Sequence, residues 1–225
     1  MSLNKLLTIF GVGVMLAMPV KATVSLFDSG LNLDGTIFMG DLTGAPPSVD
    51  GSGFDFWTGF GDITVDVTGA GSHYVALFLD HEIDENVNTY FNENGTVNGT
   101  AAAGQSFEID EPGFAFGDIF DNFSAGTLDN ANAVPAGWED DVSMALDWNF
   151  TLGADQMASI TFGVAANDPG GFSLLHRDGA SPDTIYFSSV LDVSTIVTVP
   201  EPDTVVLLVI GLLALAVVRH RRTVY

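Results

Sequence analysis

Acidic side chains fall in four short groups, and their oxygen atoms are the feature of this sequence best suited to chemistry. The groups are Asp80, Glu82, Asp84 and Glu85; Glu108, Asp110 and Glu111; Asp118 and Asp121; and Glu139, Asp140 and Asp141. Calcium takes about six to eight oxygen ligands, which clustered carboxylates can supply. If the chain stays extended after Asp80, the side chains of Asp80, Glu82 and Asp84 point the same way. The spacing makes these three residues a candidate calcium site, although we favour the interpretation that the acids are spread on a solvated loop.

The first group does not follow the EF-hand pattern, because its sixth position is Glu85 instead of Gly and its twelfth is Phe91 instead of Glu. His81, between Asp80 and Glu82, is a further candidate ligand, although we favour an exposed loop histidine. Paired carboxylates also serve glycosidases, so an anchored polysaccharide hydrolase stays open as an alternative. An acidic chain contains many such pairs, and this signal therefore has little specificity.

Other enzyme classes are disfavoured by composition. The chain has no cysteine, which excludes a disulfide framework, a thiol nucleophile and Cys-based zinc sites. The G-x-S-x-G elbow, the P-loop and the dinucleotide fingerprint do not occur. Acids outnumber bases 29 to 6, and Arg177 is the only basic residue between Thr23 and Val199. Such a body repels polyanions, so we expect no nucleic-acid partner. Because no specific catalytic motif occurs, we expect a non-enzymatic protein. Its candidate cofactor is calcium.

Aromatic residues offer a second kind of binding surface. Trp57, Trp138, Tyr90 and the many phenylalanines are candidates for stacking on sugars. Most large aromatics in a sandwich belong to its core, which is the competing interpretation. A calcium- or carbohydrate-binding adhesin module is therefore an alternative function.

The elements that would position these residues are strands. Large apolar residues alternate with small or polar ones over Met144–Leu152, which predicts a half-buried strand, and Ile63–Thr68 and Ile160–Val164 repeat the pattern. Tyr74–Leu79 is apolar throughout and predicts a strand buried on both faces. Thr184–Val199 predicts one or two more strands.

Turn signals separate these runs and complete the fold prediction. They are Asp34-Gly35, Asn94-Gly95, Asn98-Gly99, Asp168-Pro169-Gly170 and Asp178-Gly179. Residues 82–91 fit either a short helix or a polar loop. The whole predicts an all-β fold over residues 23–199, a single antiparallel β-sandwich of jelly-roll or immunoglobulin-like kind.

The N-terminus has the three parts of a secretory signal peptide over residues 1–22. Lys5 is the basic part, Leu6–Met18 is the apolar run, and Val20 and Ala22 place small residues around a cleavage site. We expect cleavage after Ala22.

The C-terminus predicts a short transmembrane helix. Val205–Val218 comprises 14 uncharged residues, about 21 Å as a helix. Arg219, Arg221 and Arg222 follow it and favour a cytoplasmic end. Together with the signal peptide, they predict a body in the periplasm and a C-terminus in the cytoplasm.

Residues 200–225 combine Pro200-Glu201-Pro202, an apolar span and an arginine-rich end. This order resembles the PEP-CTERM sorting signal, although Asp203 stands where a small residue is commoner. The resemblance implies an exported protein of Gram-negative bacteria, many of which make extracellular polysaccharide. It implies exosortase, a membrane-embedded transpeptidase-like enzyme, as processing partner at the Pro-Glu-Pro motif. It also implies transient residence in the inner membrane, a final place at the cell surface or outside the cell, and exopolysaccharide as a candidate partner.

Overall fold

The computed structural model describes residues 23–85, 88–113, 115–196, 208 and 210–213. In these ranges the chain forms eleven strands, one short α-helix and a single 3-10 turn at Tyr90–Asn92, and Leu208 and residues 210–213 are also helical. In chain order, the elements are β1 (Val24–Leu33), β2 (Thr36–Met39), β3 (Val49–Asp55), β4 (Phe60–Thr68), β5 (Gly71–Ile83), β6 (Glu93–Asn98), β7 (Gln105–Asp110), α1 (Ile119–Ala125), β8 (Ser143–Leu152), β9 (Gln156–Ala165), β10 (Ser173–Asp178) and β11 (Thr184–Thr195).

The strands form two antiparallel sheets that enclose one main core. The first sheet has the order β2-β1-β5-β8-β7, and the second has the order β3-β4-β9-β11-β10-β6. Inward residues of both sheets, including Leu77, Leu146, Ile160 and Phe187, are fully buried in that core. The predicted all-β sandwich is confirmed.

The predicted strands are present as β4, β5, β8, β9 and β11, and the last is one continuous strand. The prediction of a half-buried strand at Met144–Leu152 is wrong for its first part, because both faces of β8 are buried from Ser143 to Trp148. Helix α1 covers Ala145 on the outer face of this stretch. Its side chains pack with Phe78 and Ala145 on the outer face of the first sheet.

Two glycine signals had different outcomes. Asp34 and Gly35 close the β1–β2 hairpin with φ of 49° and 84°, the left-handed conformation that such tight turns need. The turn prediction at Asn94-Gly95 is wrong, because both residues lie within β6. Gly95 is required there for close packing, since a Cβ at this position would overlap Ile109 Cγ2 from the opposite sheet.

One end of the sandwich gathers several strand ends. Val24 pairs with Ile83 there, and Glu93 pairs with Asp178. The Ile83 amide donates to the Glu93 side chain and so joins the two sheets at this end. Strand β11 starts beside it at Thr184 and finishes at the opposite end of the sandwich.

The predicted segments at the chain ends fall outside the described residues. These are the signal peptide of residues 1–22 with Ala22, the sorting residues Pro200, Glu201 and Pro202, and the basic residues Arg219, Arg221 and Arg222. Within the predicted membrane helix, Leu208 and residues 210–213 are described and are helical. Among the described residues, no helical stretch has the length and apolar character needed to cross a membrane.

The packing of α1 on the first sheet gives a stability prediction. Phe123 of α1 is fully buried, with its ring centroid 5.8 Å from that of Phe78. We expect Phe123→Ala to lower the free energy of unfolding by about 3–5 kcal/mol, because it removes buried apolar surface and leaves a cavity. Urea unfolding measures the change. Trp138→Ala is the control, since Trp138 is 78% exposed, and its effect should stay within about 0.5 kcal/mol. Equal unfolding midpoints for Phe123→Ala and the parent protein would contradict the packing described here.

Candidate functional site

Alternation along β5 places two carboxylates on the outer face of the first sheet. Val75, Leu77 and Leu79 point into the sandwich core, whereas Ala76 and Phe78 point outward and are covered by α1. Asp80 and Glu82 continue the outward series beyond these residues. Both are nonetheless buried.

Asp141 joins them from the segment just before β8, the next strand along the sheet. It lies two residues before Ser143, which pairs with Asp80 across the β5–β8 ladder. The Ser143 hydroxyl donates to Asp80 Oδ1 at 2.9 Å. Oxygen atoms of Asp80, Glu82 and Asp141 lie within 4.8 Å of one another, and we call these three residues the acidic trio.

The acidic trio lies in a pocket of about 410 Å³, the acidic pocket. Glu85 and Glu111 add two more acids to its lining. Four aromatic residues also line it: Phe27, Tyr90, Phe91 and Phe116. The pocket therefore combines clustered carboxylates with aromatic rings.

The trio has few hydrogen-bond donors and, among the described residues, no lysine or arginine partner. Glu82 is only 6% exposed, and its Oε2 is buried with no partner; Asp141 Oδ1 is also buried and unpartnered. Within the described ranges, no lysine or arginine forms a salt bridge. The one arginine of those ranges, Arg177, lies on β10 of the other sheet. Nothing in the described protein neutralises the trio.

This environment favours the protonated acids when no cation is bound. Burial raises the pKa of Asp80 to about 8, and the charge of Asp141 adds to that shift. Burial likewise raises the pKa of Glu82 to about 8, with Glu93 as the next cause, and the pKa of Asp141 to about 6. At neutral pH the raised pKa values of Asp80 and Glu82 therefore favour their protonated forms unless a cation binds, whereas Asp141 is mostly ionised.

A second acidic cluster has a different environment. Oxygens of Glu108, Asp110 and Asp118 also lie within 4.8 Å of one another. Glu108 accepts from the Asn122 side chain at 3.0 Å and from the Asp129 amide at 3.3 Å. Asp110 accepts from the amides of Glu111 and Asp118, each at 2.9 Å. We call this the partnered cluster, because it uses its oxygens to hold α1 and the preceding loop against β7.

Of the three predicted calcium ligands, the structure brings Asp80 and Glu82 together and places Asp84 elsewhere. Strand β5 ends at Ile83, and Asp84 adopts a left-handed φ of 61°. Its Oδ1 accepts from the Thr23 amide at 2.6 Å. Asp141 occupies the third place in the trio, which only the pairing of β5 with β8 could have indicated.

His81 is not the exposed loop histidine that we favoured. It is fully buried in β5, and its Nε2 lies 3.3 Å from the Gly59 carbonyl oxygen. Because it alternates with Asp80 and Glu82 along the strand, it faces away from the trio.

A buried Glu93–His176 pair lies between the sheets at the same end and was not predicted. Glu93 Oε2 lies 2.7 Å from His176 Nε2, and Glu93 Oε1 accepts from the Ile83 amide at 3.0 Å. Burial raises the pKa of Glu93 to about 9 and lowers that of His176 to about 3. Both shifts favour the uncharged forms, in which a protonated Glu93 carboxyl can donate a hydrogen bond to His176 Nε2. This bond helps to hold the end of β5, from which Asp80 and Glu82 project.

Comparison with family models matches residues 198–222 to the PEP-CTERM protein-sorting motif. That motif defines a class of exported proteins that are held transiently at a membrane and processed by exosortase-type machinery. The chain is a PEP-CTERM domain-containing protein, as its C-terminal residues indicated. Comparisons with curated proteins and with solved structures found no match.

The Glu93–His176 pair gives a pH prediction. Because the pKa of Glu93 rises from 4.5 to about 9 on folding, the native state keeps a proton that the unfolded chain has lost at neutral pH. The free energy of unfolding should therefore fall as pH rises from about 6.5 to about 9. The raised pKa values of Asp80 and Glu82 act in the same direction. His81 and His176 act in the opposite direction, but only below their ordinary pKa of 6.5. Urea unfolding with a chelator present measures this dependence.

Glu93→Gln is the matched variant, because its amide resembles the protonated carboxyl. It should retain the fold and flatten the fall in stability above pH 6.5. Glu93→Ala should instead be less stable at every pH, by about 1–3 kcal/mol for each buried polar group left unpaired. If Glu93→Gln keeps the full pH dependence of the parent, the neutral pair is disproved.

Proposed function

We propose that the chain is a non-enzymatic protein of the cell surface or extracellular matrix, and that its body binds a neutral polysaccharide in the acidic pocket. One observation carries this proposal: exposed aromatic rings and clustered carboxylates line the same pocket. The sorting motif supports it, because it directs the body outside the cytoplasm, where such polysaccharides occur.

The aromatic rings are exposed where a core residue would not be. Phe91 is 57% exposed and Phe116 is 71% exposed. Clustered exposed apolar side chains mark binding surfaces, since a folded chain otherwise buries them. A ring face suits the apolar C–H face of a sugar, and carboxylate oxygens accept hydrogen bonds from its hydroxyl groups. The pocket offers both.

An irregularity in β1 supports a binding role for this surface. The pairing of β1 with β5 shifts between Leu26 and Asp28. The residue at the shift is Phe27, which lines the acidic pocket. Such bulges interrupt the ladder and re-aim a side chain, and they are common beside binding sites.

The charge of the acidic pocket favours some classes of polysaccharide over others. The pocket presents five carboxyl groups, and Arg177 is the only lysine or arginine in the described ranges. An anionic polysaccharide would be repelled, whereas a neutral chain would bring no charge into the pocket. We therefore propose a neutral ligand.

One prediction of this proposal concerns sorting. Replacing Arg219, Arg221 and Arg222 with Ser, together with Glu201→Ala, should block processing in an exosortase-containing host. The uncut precursor should accumulate at the membrane, because both the basic end and the processing motif are lost. Immunoblots of membrane, surface and medium fractions measure size and location. A matched Thr223→Ala variant should be processed normally, and unchanged size and release in the quadruple variant would refute the sorting proposal.

Another prediction of this proposal concerns the ligand. Phe91→Ala with Phe116→Ala should weaken binding to the neutral fraction of the host's own extracellular polysaccharide by about tenfold or more, since about 1.4 kcal/mol of lost contact gives a factor of ten. Affinity electrophoresis measures the binding. Trp57→Ala is the control, because Trp57 is 79% exposed but does not line the pocket. Equal losses in both variants, or preference for the acidic fraction, would count against the proposal.

The same polysaccharide fraction tests the hydrolase alternative. Release of reducing ends by the parent protein, lost in Glu82→Gln, would show catalysis by the acidic pocket and overturn the non-enzymatic assignment. We expect binding without release of reducing ends.

A further inference from the structure

We propose that Asp80, Glu82 and Asp141 bind one calcium ion at the base of the acidic pocket. This site does not depend on polysaccharide binding. It differs from the site suggested by sequence, since Asp141 takes the place of Asp84.

The spacing of the trio fits a single ion. Calcium binds oxygen at about 2.3–2.6 Å, so two ligands on opposite sides of the ion are at most about 5 Å apart. One oxygen from each trio residue lies within 4.8 Å of the other two. This spacing is compatible with one calcium ion that contacts all three residues.

The unpartnered oxygens separate this site from the partnered cluster. Glu82 lines the pocket and is 6% exposed, and its Oε2 is buried with no hydrogen-bond partner. Asp141 also lines the pocket, and its Oδ1 is likewise buried and unpartnered. In the partnered cluster, Glu108 and Asp110 receive donors at both carboxylate oxygens. Both clusters keep their oxygens within 4.8 Å of one another, but of the two only the trio leaves buried oxygens without a hydrogen-bond partner.

The surroundings favour calcium over magnesium. The trio comes from β5 and from the residues just before β8, so it offers an irregular set of ligands fixed by two strands. Calcium tolerates such geometry, whereas magnesium needs a near-ideal octahedron and gives up water reluctantly. The remaining positions on the ion would face the pocket and take water or sugar hydroxyl oxygens.

Thermal unfolding of the full-length chain, purified in detergent at pH 8, tests the proposal. Calcium chloride should raise the midpoint temperature saturably relative to excess chelator, because a ligand bound only by the native state stabilises it. Magnesium at the same concentration should give a smaller rise. Isothermal titration with calcium should give a stoichiometry near one.

Variants of the trio residues test whether the ion binds at this site. Glu82→Gln and Asp141→Asn should each weaken the apparent calcium affinity by about tenfold or more, as loss of a ligand does. In chelator they should unfold at or above the parent's temperature, because each removes a buried like charge, and this shows that they fold. Glu108→Gln is the matched control, being equally buried within the partnered cluster, and should keep the calcium response.

Three outcomes would overturn the proposal: equal midpoints in calcium and chelator, an equal response to magnesium, or an undiminished calcium response in both trio variants. Each leaves the polysaccharide and sorting experiments unaffected. Conversely, a calcium response without polysaccharide binding supports the ion and rejects the proposed ligand.

Discussion

The burial of β5 on both faces is the constraint on which the other features depend. Its inward residues complete the sandwich core, and its outward residues require a cover, which α1 provides over Ala76 and Phe78. Beyond the residues that α1 covers, the next outward positions of β5 are Asp80 and Glu82. The face of the strand that packs against the helix therefore also places two carboxylates in a buried environment. A strand with one solvated face would have left these acids in water, with ordinary pKa values and no reason to gather.

A body with so little positive charge must neutralise buried acids by other means, and three are present at neighbouring places. Glu93 forms a hydrogen bond with His176. Glu108 and Asp110 accept hydrogen bonds from amides and from Asn122. In the acidic trio, Asp80 accepts from the Ser143 hydroxyl, but Glu82 Oε2 and Asp141 Oδ1 have no partner and suit a cation from solution. The differences among these sites lie in the donors that the fold places within reach, since the carboxyl groups themselves are alike.

Much of the fold was readable from local patterns, whereas the site was readable only in part. Alternation identified β4, β8 and β9, because side chains with period two must separate a core from its surroundings. Asp80 and Glu82 were found because they share one strand. Asp141 and the Glu93–His176 pair were not found as partners, because they meet only when residues about sixty or more positions apart are brought together by strand order. The turn prediction at Asn94-Gly95 failed for a related reason. Glycine is required at position 95 because of Ile109 in the opposite sheet, and not because of its neighbours in the sequence.

The direction of β11 has a consequence for how the molecule is presented. This strand of 12 residues carries the chain roughly 40 Å from the pocket end of the sandwich to the opposite end, where the C-terminal segment departs. In the proposed sorting, the C-terminal segment holds the body at the membrane by the end remote from the acidic pocket. We infer that the pocket would then face away from the membrane, so that a molecule could bind the matrix before it is released.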